Sequence, residues 1–160
     1  MEHWSAMLRQ VAFIFPMGAC MQSSSPSSEQ FTVSGEFSVT IKPPAAVDAE
    51  SLGPAIGRHV IVKEYQGALT GNSQGEMLTA GQPAQGEASY VAIESVQGTL
   101  DGRTGGFALV HFGQMHAGSS TLSVKIAPGS GTGELAGLMG DLIIHRESGK
   151  HSYTLTYWFA

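Results

Sequence analysis

Tyr90-Val91-Ala92-Ile93-Glu94-Ser95-Val96-Gln97-Gly98-Thr99-Leu100-Asp101-Gly102-Arg103, followed by Gly106-Phe107-Ala108-Leu109-Val110-His111-Phe112-Gly113, reads as a β-hairpin. Both arms are rich in β-branched and aromatic residues, and Asp101-Gly102 supplies a two-residue type I′ turn, whose central positions require the positive φ that Asp and Gly tolerate. Such a turn pairs Leu100 with Arg103, and counting back places Glu94 opposite Leu109. His111 then shares a face with Glu94, together with Tyr90, Ala92, Val96 and Phe107. Diagonal neighbours on one face lie about 7–8 Å apart at the backbone, within reach of long side chains or a bridging ligand. Glu94 and His111 therefore form a candidate proton-transfer pair, and a carboxylate among apolar groups is expected to have a raised pKa suited to acid–base work. Two alternatives stay open. The opposite face, Val91, Ile93, Ala108, Val110 and Phe112, is more uniformly apolar; were it the buried one, Glu94 and His111 would be ordinary surface residues. A three-residue loop, Asp101-Gly102-Arg103, would slip the register by one and separate the two side chains onto opposite faces.

Working outward, the same period-2 pattern recurs. Phe31, Val33, Gly35, Phe37, Val39 and Ile41 alternate with polar residues up to Lys42, and Pro43-Pro44 ends the strand. The stretch Ala45 to Gly57 reads as a loop or short helical turn. Further strands are predicted at His59–Tyr65, Gly75–Ala80, Ser89–Leu100, Gly106–Met115, Thr121–Ala127, Gly140–Arg146 and Tyr153–Phe159. Eight short strands with Gly-rich turns and no long amphipathic helix predict an all-β domain over residues 31–160. We expect a single antiparallel eight-stranded barrel, because closure removes exposed sheet edges and eight strands leave an interior for packed side chains or one small ligand.

Composition limits what such a domain does. At 160 residues the chain has room for one core. Eight Lys and Arg are scattered and the net charge is -5, so no basic stripe exists for nucleic acid. One cysteine excludes an intrachain disulfide framework and a multi-cysteine zinc site. His59, His116, His145 and His151 lack metal-ligand spacing, so no metal is expected. The run Pro128-Gly129-Ser130-Gly131-Thr132-Gly133-Glu134-Leu135-Ala136-Gly137-Leu138-Met139-Gly140 superficially suggests a phosphate loop. It lacks the Lys-Ser/Thr pair and a βαβ setting, and no cofactor is expected. Its glycines serve a tight corner, with Thr132 capping a helical turn through Leu135 and Ser130 closing the preceding turn. Ser95 and Ser130 sit in no nucleophile elbow, which excludes a serine hydrolase of that type.

The first thirty residues differ. Val11 to Ala19 is apolar but, at nine residues, too short for a bilayer span, which needs about 20. Met17-Gly18-Ala19-Cys20 loosely resembles a lipoprotein cleavage site, with Cys20 acylated and a Ser-rich tether following; a free-thiol N-terminal extension is the alternative. The chain is accordingly expected in the cytoplasm or, anchored through Cys20, in the cell envelope, and membrane contact is expected only through that anchor.

Tyr90 to Arg103, Gly106 to Gly113, Pro128 to Gly140 and the terminal Tyr153-Thr154-Leu155-Thr156-Tyr157 together resemble an uncharacterised bacterial family of small β-barrels, a domain of unknown function allied to the allene oxide cyclase-like, or calycin-like, barrels. The resemblance spans about Phe31 to Phe159. It implies a barrel with an internal cavity, used in the cyclase relatives to fold a flexible lipid-like substrate, and transfers no reaction. Three functions follow as expectations. A cavity binds a small apolar molecule, with Tyr90, Phe107, Leu109, Ser130 and Tyr153 as candidate contacts. Alternatively, a cofactor-independent isomerase or cyclase uses Glu94 and His111 as catalytic residues. A third expectation is a packed barrel that acts through its outer surface, as a homo-oligomer.

Overall fold

The computed structural model describes residues 29–43, the backbone of 45–46, and residues 53–160. The readings placed on Val11–Ala19, Cys20 and the Ser-rich tract up to Ser28 lie outside the described residues. The strands are β1 (Phe31–Ile41), β2 (Ala45–Ala46), β3 (Ile56–Gly67), β4 (Leu69–Gln82), β5 (Glu87–Leu100), β6 (Arg103–His116), β7 (Ser119–Ile126), β8 (Leu138–Glu147) and β9 (Lys150–Phe159). All pairings are antiparallel and follow chain order from β3 to β9. The first strand closes the sheet. Its Phe31–Phe37 segment pairs with β9 and its Gly35–Ile41 segment with β3, giving a closed eight-stranded barrel. At Gly35 the two closures overlap, and a Cβ there would meet Gln66 O at 2.2 Å and the Tyr153 hydroxyl at 2.4 Å, so only glycine fits the crossing.

The central hairpin has the predicted turn and register. Asp101 and Gly102 adopt φ of 49° and 83°, Leu100 pairs with Arg103, and Glu94 lies opposite Leu109. Two sequence expectations need correction. Ala45–Ala46 is a short strand that pairs with Gly57 and Arg58 and so covers the outer edge of β3. The strand expected to begin at Gly75 begins at Leu69, because the polar run Thr70 to Gln74 continues the pairing with β5 despite its composition.

The structure decides between the two faces that the sequence left open. Val91, Ile93, Val110 and Phe112 point outward and are exposed, whereas Glu94 and His111 point inward and are 0% and 3% exposed. The more apolar face is the outer wall.

The barrel is packed at one end and hollow at the other. Around the β5–β6 turn, Leu69, Leu100, Leu109, Leu138 and Leu155 meet in a core with no solvent access. Leu135, on a 3-10 turn at Gly133–Leu135, plugs this end. The Gly-rich run straps the plug down by hydrogen bonds to β6. Ser130 Oγ accepts from Ala108 N at 3.0 Å and donates to Ala127 O at 2.6 Å, and Glu134 Oε2 accepts from Thr104 N at 2.7 Å. Thr132 occupies the N-cap position, yet its hydroxyl accepts the Gly106 N–H at 3.0 Å rather than one from its own turn. The wall has one thin place. Strand β7 pairs with β8 only at Lys125 and Asp141, whose side chains form an ion pair across the seam. No helix among the described residues is long and apolar enough to cross a membrane.

Candidate active and binding site

Four inward-facing strand positions converge on Glu94. The alternation of β3 sends Ile61, Lys63 and Tyr65 inward, β4 adds Ser73, β5 Glu94 and β6 His111. Glu94 Oε1 accepts from the Tyr65 hydroxyl at 2.7 Å and from Ser73 Oγ at 2.5 Å. Its Oε2 receives Lys63 Nζ at 2.5 Å. His111 Nε2 stands 3.0 Å from the same oxygen, within ion-pair distance, but is not aligned for a hydrogen bond and has no other protein partner. The Lys63 ammonium also lies 5.0 Å from the centroid of the Phe37 ring, a cation–π contact.

Burial pushes the Glu94 pKa up, but the approach of His111, the Lys63 ammonium and the Ser73 hydroxyl outweigh it and hold the carboxyl at about 2. The raised carboxyl pKa expected from the sequence is therefore wrong, because the apolar surroundings foreseen on the hairpin omit the donors that β3 and β4 supply. Glu94 is a permanent anion at neutral pH. Burial and the neighbouring Glu94 charge move the Tyr65 hydroxyl the other way, well above the usual phenol range, so Tyr65 stays a donor.

Two members of this cluster, Lys63 and His111, form the floor of a cavity of about 420 Å³ that opens at the hollow end. Its walls are largely apolar, with Phe37, Val39, Ile61, Met77, Ala92 and Ile144. Lys63 and His111 face it from below, and Tyr90, Arg146 and His151 stand around the mouth. The volume falls within the about 300–1,000 Å³ range of small-molecule sites.

The sequence-derived contacts divide accordingly. Tyr90 is half-buried and lines the cavity. Phe107, Leu109 and Tyr153 are buried in the packed end, away from the cavity wall, and the Tyr153 hydroxyl accepts the Leu69 N–H at 2.8 Å. The hydroxyl of Ser130 is committed to the strap. Those four are structural because they belong to the end of the barrel that the Leu135 plug fills. Lys63, Tyr65 and Ser73 were missed as site residues. A lysine in the inward phase between Ile61 and Tyr65 is the signal that could have found the first two. Among the described residues no cluster of His, Cys, Asp and Glu is arranged to hold a metal ion.

The fold and site thus define a small closed antiparallel β-barrel with a hollow end floored by a buried carboxylate cluster. The chain belongs to the DUF3224 family, described as proteins of unknown function, whose sequence profile matches residues 33–157. It is similar to a crystal structure of a DUF3224 protein of unknown function from Shewanella oneidensis MR-1, with 42% identity and a TM-score of 0.75 over 82% of this chain and 98% of that one. No curated protein matches the sequence.

Proposed function

We propose that the protein binds a small, largely apolar molecule in the hollow end of the barrel, with one polar group of the ligand set against Lys63 and His111. The observation that supports this is the cavity of about 420 Å³ itself, whose walls are largely apolar and whose lining includes the buried polar residues Lys63 and His111. The apolar walls then enclose the body of the molecule while the floor orients one end.

Ala92 gives a clean test, since it is buried on the cavity wall one inward position before Glu94. Titration with an environment-sensitive apolar fluorophore is expected to show saturable binding to the native chain and none to Ala92→Phe, with both proteins equally folded by circular dichroism. Equal binding by the two proteins would remove the cavity as the site. Native mass spectrometry of protein purified from its own host identifies any molecule carried there.

A second reading, a cofactor-independent isomerase or cyclase, draws on His111 in the cavity lining. With Glu94 fixed as an anion, the proton-moving group is His111, whose Nε2 lies 3.0 Å from the carboxylate. Tyr65 then holds the carboxylate in place rather than exchanging protons with it. His111→Gln separates the readings: it abolishes turnover of a substrate if chemistry occurs, and changes affinity alone if the barrel only carries its ligand.

A further inference from the structure

The charged groups around the cavity are all of one kind. Lys63, His111, Arg146 and His151 line it, and no Asp or Glu stands among the described lining residues. At the floor the charge is already balanced, because Glu94 receives the Lys63 ammonium at 2.5 Å. At the mouth it is not. Arg146 is the last inward residue of β8, after Leu142 and Ile144, and it is in no ion pair among the described residues. The chain as a whole carries a net charge of -5, so this cation stands against the general sign of the molecule.

Side chains from three strands surround that opening. Arg146 is the register partner of His151 across the β8–β9 hairpin, and the His151 ring rests against Phe37 with centroids 5.2 Å apart. Tyr90, on β5, lies opposite Gly113 of β6, and its ring occupies the space a side chain at Gly113 would fill. The Arg146 charge is felt at the Tyr90 phenol, where it favours the phenolate, but burial outweighs it and keeps the hydroxyl protonated. The mouth therefore offers a guanidinium and a phenolic O–H, both donors. We infer that the ligand of the hollow end is an organic anion, an apolar body ending in an oxyanion group such as a carboxylate, with that group held at the mouth by Arg146 and the Tyr90 hydroxyl. The inference rests on the reading of the hollow end as a binding cavity and names the class of molecule it takes.

The two ends of the cavity give the ligand a direction. A guanidinium presents a planar fork of donors that matches the two oxygens of a carboxylate, and its hydrocarbon stem continues the apolar wall beyond Ile144. The floor turns an anion away. An oxyanion pushed down to Lys63 would meet the Glu94 carboxylate, which already holds that ammonium, whereas a neutral polar group accepts a hydrogen bond there without repulsion. The charged end thus stays outward and the neutral end points to the floor. A neutral apolar molecule leaves Arg146 to water and gains nothing from it, and a cation is repelled.

The test uses the full chain and two probes, 1-anilinonaphthalene-8-sulfonate and N-phenyl-1-naphthylamine, the same ring system with and without the anionic group. In fluorescence titrations at low salt the native chain is expected to bind the sulfonate about 10-fold or more tightly than the neutral amine, the scale of one charge-assisted contact. Arg146→Gln, at an exposed position with no ion pair to lose, is expected to fold normally, to bind the two probes alike and to keep the native affinity for the amine. Added sodium chloride is expected to weaken binding of the sulfonate alone. Lys150→Gln removes an equal charge from the exposed turn of the same hairpin and is expected to keep the preference. A native chain without the preference, a preference that survives Arg146→Gln, or one lost equally in Lys150→Gln overturns the anion site while the cavity reading stands. Binding of neither probe by the native chain, or undiminished binding of both by Ala92→Phe, overturns the cavity reading and the anion site with it.

Discussion

Replacing Glu94 by Gln removes the charge on which the cavity floor is organised. The side chain keeps its shape but no longer balances the Lys63 ammonium, which is 6% exposed. A first magnitude comes from the pKa: held at about 2 against 4.5 for an ordinary glutamate, the carboxylate contributes ~3 kcal/mol at neutral pH. Breaking one side of a buried ion pair costs about 3–5 kcal/mol in general, which agrees. The sign is that of a depressed acid. The contribution is complete above pH 4.5 and is lost as pH falls from 4.5 toward 2, where native and unfolded chains both hold the proton. Urea unfolding followed by circular dichroism at several pH values is the assay. At pH 7 Glu94→Gln is expected to be ~3 kcal/mol less stable than the native chain, and the gap between them is expected to shrink steadily below pH 4.5. A difference under about 1 kcal/mol at pH 7, or one that stays constant down to pH 3, would refute the view that a permanent anion holds the floor together. A companion variant sharpens the point. With Glu94→Leu and Lys63→Met combined, no unpaired charge is left at this position, so the double change is expected to cost less than the sum of the two single ones.

Other perturbations address the two ends separately. Leu135→Ala, at a plug with no solvent access, is expected to cost about 2–5 kcal/mol in thermal unfolding while leaving fluorophore affinity intact, because the cavity lies at the far end. Tyr153→Phe strips the Leu69 N–H of its acceptor, and a loss of about 1–3 kcal/mol is expected in denaturant titration. Gly113→Ala places a Cβ 2.1 Å from the Tyr90 ring, so the ring must swing away; a several-fold change in probe affinity with a smaller change in stability is expected, and unchanged affinity would show that Tyr90 is not part of the wall.

The hairpin was legible because Asp101-Gly102 has few conformational options, and the turn alone carried the register that joins Glu94 to the His111 strand face. The orientation of that hairpin was not legible. Ranking faces by apolar content would pick the outer wall as the buried one, since the rule that charges stay outside holds for unpaired charges and Glu94 is paired several times over. Those partners come from β3 and β4, about twenty to thirty residues earlier in the chain, and no local pattern on β5 announces them. Ser73 was hidden further by its setting, Thr70-Gly71-Asn72-Ser73-Gln74, whose composition is that of a loop. Strand β4 forms there because the neighbouring strands on both sides pair with it. The glycine run was legible as a corner, yet only the closed barrel shows that the corner seals the end away from the cavity.

The thin β7–β8 seam has a dynamic consequence. Around most of the barrel each strand is held by a long run of paired residues, whereas this join rests on Lys125 and Asp141 alone. A sheet rolled into a cylinder opens first where its edges are least fastened, and local opening in native proteins follows the distribution of protecting contacts. In amide hydrogen exchange the N–H groups along the β7 and β8 margins should trade with deuterium well before those of the β5–β6 hairpin. Added salt, by screening the exposed ion pair, should widen that difference, making the seam the hinge line of the cylinder's slow breathing.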